Sequence, residues 1–326
     1  MKSIYPAVAA VICLGITQAE AQSPLTLESK IALGEVRGRI DHLAFDLMRR
    51  RLFVAELEND TVGIVDVGTG RLLRNITDLK GPQGLGYLRS TDTLFVANGG
   101  DGSLRMFQGT EYHEVGRIQL KEDADNIRND PATNQVFVSH GDGAIAIIDA
   151  PTGRKISDIE LSAHPESFQL DKRTNRIYAN DPSGQAVVVI DRNMGKPIAT
   201  WKTGNGSNFP MALDEASDAV LVVFRSPAKL IALSALTGSI VTTLDTCRDA
   251  DDMFVDAQRK RVYVSCGEGV VDVFSTAGGA YKHLGAVETS EGARTSLYVP
   301  EIDRLFVAAR ATAQAPAAIH VYRPQP

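Results

Sequence analysis

Side chains able to do chemistry are concentrated in short clusters that return about every 42 residues. The clusters are Asp41-His42, Gln83-Gly84, Asp125-Asn126, Glu166-Ser167, Phe209-Pro210, Asp251-Asp252 and Arg294-Thr295. Each is followed, after a short β-rich run, by a second position: Glu56, Asn98, His140, Asp181, Phe224-Arg225, Cys266 or Ala309-Arg310. Six of the first seven clusters are polar and four carry a carboxylate, so acid density is their common property. Carboxylates brought close together repel, and they require a compensating cation or raised pKa values. A divalent metal would supply the cation. Hard ions such as Ca, Mg or Mn take carboxylates and amides, and a borderline ion such as Zn also accepts imidazole. On that reading His42, Asp251, Asp252 and Glu56 are the candidate metal ligands. Arg225, Arg294 and Arg310 could instead neutralise the acids or hold an anionic ligand through bidentate hydrogen bonds. The candidate ligand-binding lining is Asp41, Asp125, Asn126, His140, Glu166, Arg294 and Arg310. If a reaction runs here, His42 and Asp252 are the candidate catalytic groups, as bases acting beside a metal-polarised carbonyl.

These residues can meet only if a repeat fold brings them to one place. The β-rich runs are Leu52-Phe53-Val54-Ala55, Leu94-Phe95-Val96-Ala97, Val136-Phe137-Val138-Ser139, Ile177-Tyr178-Ala179-Asn180, Val220-Leu221-Val222-Val223, Val262-Tyr263-Val264-Ser265 and Leu305-Phe306-Val307-Ala308. Taking the second residue of each, the steps are 42, 42, 41, 43, 42 and 43. Four strand-like runs fit one period; in the first they are His42–Asp46, Arg51–Ala55, Thr61–Asp66 and Arg71–Ile76. The turns between them carry Gly, Asn, Asp and Pro, as in Gly68-Thr69-Gly70 and Pro151-Thr152-Gly153. No stretch holds a helical period over ten or more residues. A four-stranded sheet of this length cannot bury both faces alone, so such repeats stack radially. The expected fold is therefore all-β, a seven-bladed propeller of four-stranded antiparallel blades starting near residues 39, 81, 123, 164, 207, 249 and 292, within one domain over residues 22–326. The last repeat lacks a fourth strand, and residues 29–36 resemble fourth strands elsewhere, such as Arg117–Leu120. They are expected to close the seventh blade and remove an open edge. In a propeller the loop entering each inner strand and the loop leaving the second strand open on one face. Both series of positions therefore face the mouth of the central channel.

The repeat pattern resembles the YncE-like family of propellers built from YVTN repeats, across essentially the whole chain after the N-terminal segment. Phe53-Val54-Ala55 and Tyr263-Val264-Ser265 stand where that motif reads Tyr-Val-Thr-Asn, while the Gly-His and Trp-Asp signature of WD40 blades is absent. The resemblance implies an exported seven-bladed propeller and leaves its activity open, because fold does not set function.

Several alternatives fall away on context. Gly141-Asp142-Gly143-Ala144-Ile145-Ala146 fits a dinucleotide fingerprint, but a strand follows it, and without a helix N-terminus no pyrophosphate is cradled. No nucleotide cofactor is expected. No C-x-x-C-H attaches a haem. Asp123-Ala124-Asp125-Asn126 and Asp249-Ala250-Asp251-Asp252 lack the Gly and distal Glu of an EF-hand. No G-x-S-x-G elbow and no H-E-x-x-H helix is present. His164 and Glu166 flank Pro165, which fixes the local φ, so they could serve only to shape their loop. His113, His283 and His320 are expected on outer or third strands at the surface.

The net charge of −6 and pI of 5.6 argue against nucleic acid or an anionic membrane as partner. Lys2, the apolar run from Tyr5 to Ile16 and Ala19-Glu20-Ala21 read as a secretory signal cleaved after Ala21. That run is too short to span a bilayer, and a periplasmic or secreted protein is expected. Cys247 and Cys266 remain after cleavage. Both fall at the same mouth of one blade, and export would permit a disulfide between them. Three functions follow: capture of a small polar ligand or ion at the channel mouth, a metal-dependent hydrolase or lactonase using the same site, or a protein-interaction scaffold.

Overall fold

The computed structural model describes residue 1 and residues 23–326. The signal-like segment and its cleavage site lie outside the described residues. Within them there are seven separate four-stranded antiparallel sheets and no α-helix. Blade 1 consists of Leu43–Asp46, Arg51–Glu56, Thr61–Asp66 and Arg71–Ile76, paired in that order. The sequence periods and the sheets coincide blade by blade.

The hydrophobic core is divided among the seven seams between blades. Ala44, Phe53, Val62 and Ile64 of blade 1 pack on Leu85, Leu94, Val96 and Phe107 of blade 2, and each later seam repeats this. The second-strand aromatics Phe53, Phe95, Phe137, Tyr178, Tyr263 and Phe306 are all fully buried. A blade has apolar residues on both faces of its middle strands and is stable only when flanked on both sides.

The seventh sheet pairs Ser296–Val299, Arg304–Ala309, Ala318–Pro324 and, from the other end of the chain, Leu25–Ala32. Closure by an N-terminal strand is as expected, but the strand begins four residues earlier than residue 29 and ends at Ala32. The reason is packing. Leu25 enters the seam between blades 6 and 7, while Ile31, Leu33 and Val36 enter the seam between blades 7 and 1.

The outer strands share a device invisible in composition. On blades 1 to 6 the register slips by one residue at the same place, leaving Leu73, Val115, Ile156, Ile198, Val241 and Leu284 unpaired. Each is exposed, from 47% for Ile198 to 60% for Val241. A bulge twists an edge strand and interrupts its ladder, which discourages sheet-to-sheet association at the rim.

Cys247 and Cys266 form a disulfide, with Cα atoms 5.9 Å apart and a sequence separation of 19. Closing a loop of this length is expected to contribute about 3 kcal/mol in the chain-entropy description. Urea unfolding with and without reductant should show that difference. Two freely alkylated thiols in the unreduced protein, seen by intact mass, would contradict it.

Candidate functional site

Inner strands line the channel, and their N-terminal ends carry the polar clusters. Tight entry loops hold them in place. Asp123 and Asp249, at the start of the loops into blades 3 and 6, adopt left-handed conformations with φ of 57° and 58°. Gly84 lies where blade 2 meets blade 3, and a Cβ there would stand 1.8 Å from the carbonyl oxygen of Asp125. Only glycine lets that backbone approach so closely.

At the centre is His42. Its Nδ1 is 3.4 Å from Asp252 Oδ1, and its Nε2 is 3.8 Å from Asp41 Oδ1 and 3.9 Å from Asp125 Oδ1. Each carboxylate is held from behind. Arg39 donates to Asp41 at 3.0 Å, the Ser296 backbone N–H donates to Asp252 at 2.8 Å, and Asn126 donates to Asp125 at 3.3 Å. Among the described residues the buried Asp125 Oδ1 has no hydrogen-bond partner. Burial alone would lower the imidazole pKa, but Asp252, Asp41 and Asp125 outweigh it and push it up to about 10. His42 is thus an imidazolium at neutral pH. Burial raises Asp125 to about 7 against the pull of His42, and it also raises Asp41 and Glu166.

A second group adjoins the first. Asp251 is paired with Arg225, and Arg294 reaches it at 2.9 Å while donating to Asp249 at 2.9 Å. Arg225 also donates to the Ala250 carbonyl at 2.8 Å and lies 3.5 Å above the Phe209 ring. The cation that the clustered acids require is therefore supplied by the chain itself, through His42, Arg39, Arg225 and Arg294. Among the described residues no group of three or more His, Cys, Asp or Glu side chains is arranged to hold a metal ion.

The sequence-derived candidates separate accordingly. Asp41, His42, Asp125, Asn126, Asp251, Asp252 and Arg294 come together as expected. Glu166 joins through its backbone, whose carbonyl accepts from Asn126 at 2.7 Å. His164 bonds the Gly141 carbonyl at 2.7 Å, which ties down its loop. Arg310 is exposed and borders a 100 Å³ hollow with Arg39, Asp249 and Arg294 at the rim. Two candidates lie elsewhere. Glu56 is fully buried in its own blade, accepting from Thr61 and from Asn75 at 3.0 Å, and burial pushes it up to about 7. His140 is 1% exposed and committed to Asp158 at 3.1 Å and to the Lys121 backbone N–H at 3.3 Å. Both end second strands whose last side chain turns into the blade, so alignment with the mouth did not make them line it. His320, expected at the surface, is 3% exposed because the closing strand lies over it; burial lowers its pKa to about 4.

Below the mouth the channel encloses 580 Å³. Its upper wall includes Arg128, Ser167, Gln169, Phe254 and Ser296; lower down come Phe45, Tyr87, Leu213 and Tyr298. Arg128 is not marked by the entry-loop pattern, because it lies inside a strand, where apolar packing is the expectation. Its signal was present: a charge at a position where the other repeats carry Ala44, Gly86, Gln169, Ala212, Phe254 and Leu297.

No family model and no curated protein matches the chain. Solved structures do share its shape. A chain of the Mitotic Checkpoint Complex crystal structure superposes with a TM-score of 0.75 at 13% identity, covering 99% of this chain and 98% of that one. A chain of Kuenenia stuttgartiensis Hydrazine Synthase gives 0.66 at 15% identity, covering 86% and 94%. At these identities the likeness is one of fold.

Proposed function

We propose that this propeller is an exported, YncE-like binding protein that captures a small polar ligand in its central channel. The observation that supports it most is the pairing of a 580 Å³ channel with a charge-dense mouth whose acids are already neutralised from within. A site that provides its own counterions is preorganised, so little ordering cost is left for the ligand. A hydrolytic reading would need a metal, yet Asp251 is occupied by two arginines and both nitrogens of His42 face carboxylates.

The test is thermal shift of the mature protein against amino acids, sugars, organic acids and divalent ions, beside Ala212→Phe. Ala212 lines the channel, and the larger side chain narrows it. A ligand at 100 times its Kd stabilises the native state by about 2.7 kcal/mol, which moves the melting point by several degrees. At least one small polar compound should do so in wild type and fail in Ala212→Phe. Stabilisation by divalent ions alone, lost in Asp252→Asn, would favour the metal reading. No shift with any compound would leave the scaffold reading.

A further inference from the structure

We infer that the channel ligand is a monocarboxylate with an apolar body, its carboxylate seated on Arg128; this rests on the channel-binding reading above. The arginines set into the mouth are in ion pairs, Arg39 with Asp41, Arg225 with Asp249 and Asp251, Arg294 with the same two acids, while Arg310 stands exposed in solvent at the rim. Arg128, on the channel wall, differs from these: among the described residues no carboxylate oxygen lies within ion-pair distance of it. Its guanidinium donates to the Ile127 carbonyl at 2.8 Å and weakly to Ser167 Oγ at 3.4 Å, and stacks 5.6 Å over Phe168. Two of its five N–H groups are thus used, one of them poorly. A half-buried guanidinium without an anion costs free energy, and here it borders an open channel. Ser167, 5% exposed, accepts from Arg128 and so keeps its own hydroxyl proton to donate. A fork of guanidinium N–H groups beside a free hydroxyl suits a planar carboxylate.

Two further features narrow the class. Asp252 and Asp125 lie close enough to act on Arg128, and Glu215 and Glu301 line the channel farther on. Each added negative charge on a ligand meets these acids, so a monoanion is favoured over phosphate or a dicarboxylate. Phe254 stands at the level of Arg128, and below them the wall is formed by Phe45, Tyr87 and Leu213, all four half-buried toward the channel. That surface accepts an aliphatic or aromatic tail.

The experiment is calorimetric titration of the disulfide-intact mature protein with benzoate and hexanoate, each beside its neutral amide, benzamide and hexanamide. Wild type should bind at least one acid at least 30-fold more tightly than its amide. Arg128→Met should abolish that preference, and Arg128→Lys should retain part of it. Without ligand, Arg128→Met should melt at or above the wild-type temperature, since it removes an unpaired, half-buried charge; a structural role for Arg128 predicts the opposite. Equal binding of the acids to wild type and Arg128→Met, or acid and amide binding alike, overturns the inference. If only amides or other neutral compounds bind, and Ala212→Phe blocks them, channel binding stands and the carboxylate assignment falls. If neither acids nor neutral compounds bind, both fall.

Discussion

A chain beginning at Arg37 is expected to lose cooperative folding rather than to fray at one end. It lacks Leu25, Ile31, Leu33 and Val36, which are 2%, 2%, 1% and 5% exposed and fill seams on both sides of blade 7. Each fully buried aliphatic side chain is worth about 1.5–3 kcal/mol, so the four together represent roughly 6–12 kcal/mol. A whole domain is stable by only about 5–15 kcal/mol. The deletion also strips Glu28 from Arg304 and Arg323 and leaves Ala318–Pro324 as an open edge. Circular dichroism melting of the chains from residue 23 and from residue 37 decides it, with a peptide of residues 23–36 added back to the shorter one. The shorter chain should show no sharp transition until the peptide is supplied. Equal melting temperatures would rule out the ring-closure account.

The second large effect is expected at His42. Replacing it with Gln removes the imidazolium from between Asp41, Asp125 and Asp252 and leaves buried acids without their central cation. Breaking a buried pair in this way costs about 3–5 kcal/mol. The pH dependence carries the more specific signature. The folded pKa of His42, near 10, is above the unfolded value of about 6.5. Its contribution is therefore complete below pH ~6.5 and is lost as pH rises toward 10. Asp125 acts in the same direction at lower pH: its folded pKa near 7 exceeds the unfolded value of about 3.9, so stability declines between these values as pH rises. Urea unfolding of wild type and His42→Gln from pH 6 to pH 10 should give a gap that is widest at pH 6 and narrows steadily. A gap that stays constant across that range would mean that His42 packs there as a neutral ring.

Much of the architecture was legible because a propeller writes its geometry into sequence at every turn. The second-strand runs Phe53-Val54-Ala55 through Phe306-Val307-Ala308 repeat at one period, since each must fill the same seam between blades. That requirement is local to a repeat and its neighbours, so periodicity alone sets blade number, strand order and the face on which the entry loops meet. The same period also puts Asp41, His42, Asp125, Asp251, Asp252 and Arg294 at one mouth. What remained open depended on where side chains point and on which charges find each other. Glu56 and His140 occupy equivalent positions in the repeat to other mouth residues, yet their side chains turn into their own blades toward Thr61, Asn75 and Asp158. Whether the clustered acids needed an external ion turned on the reach of Arg39, Arg225 and Arg294 and on the protonation of His42 by its three carboxylates. Long side chains choose partners across 26 to 45 residues of chain, as Arg225 does with Asp251 and Arg294 with Asp249, and no spacing rule encodes that choice. The isolation of Arg128 is of the same kind. Its charge is plain in the sequence, but the lack of an opposing carboxylate at its head exists only once seven strands surround one channel.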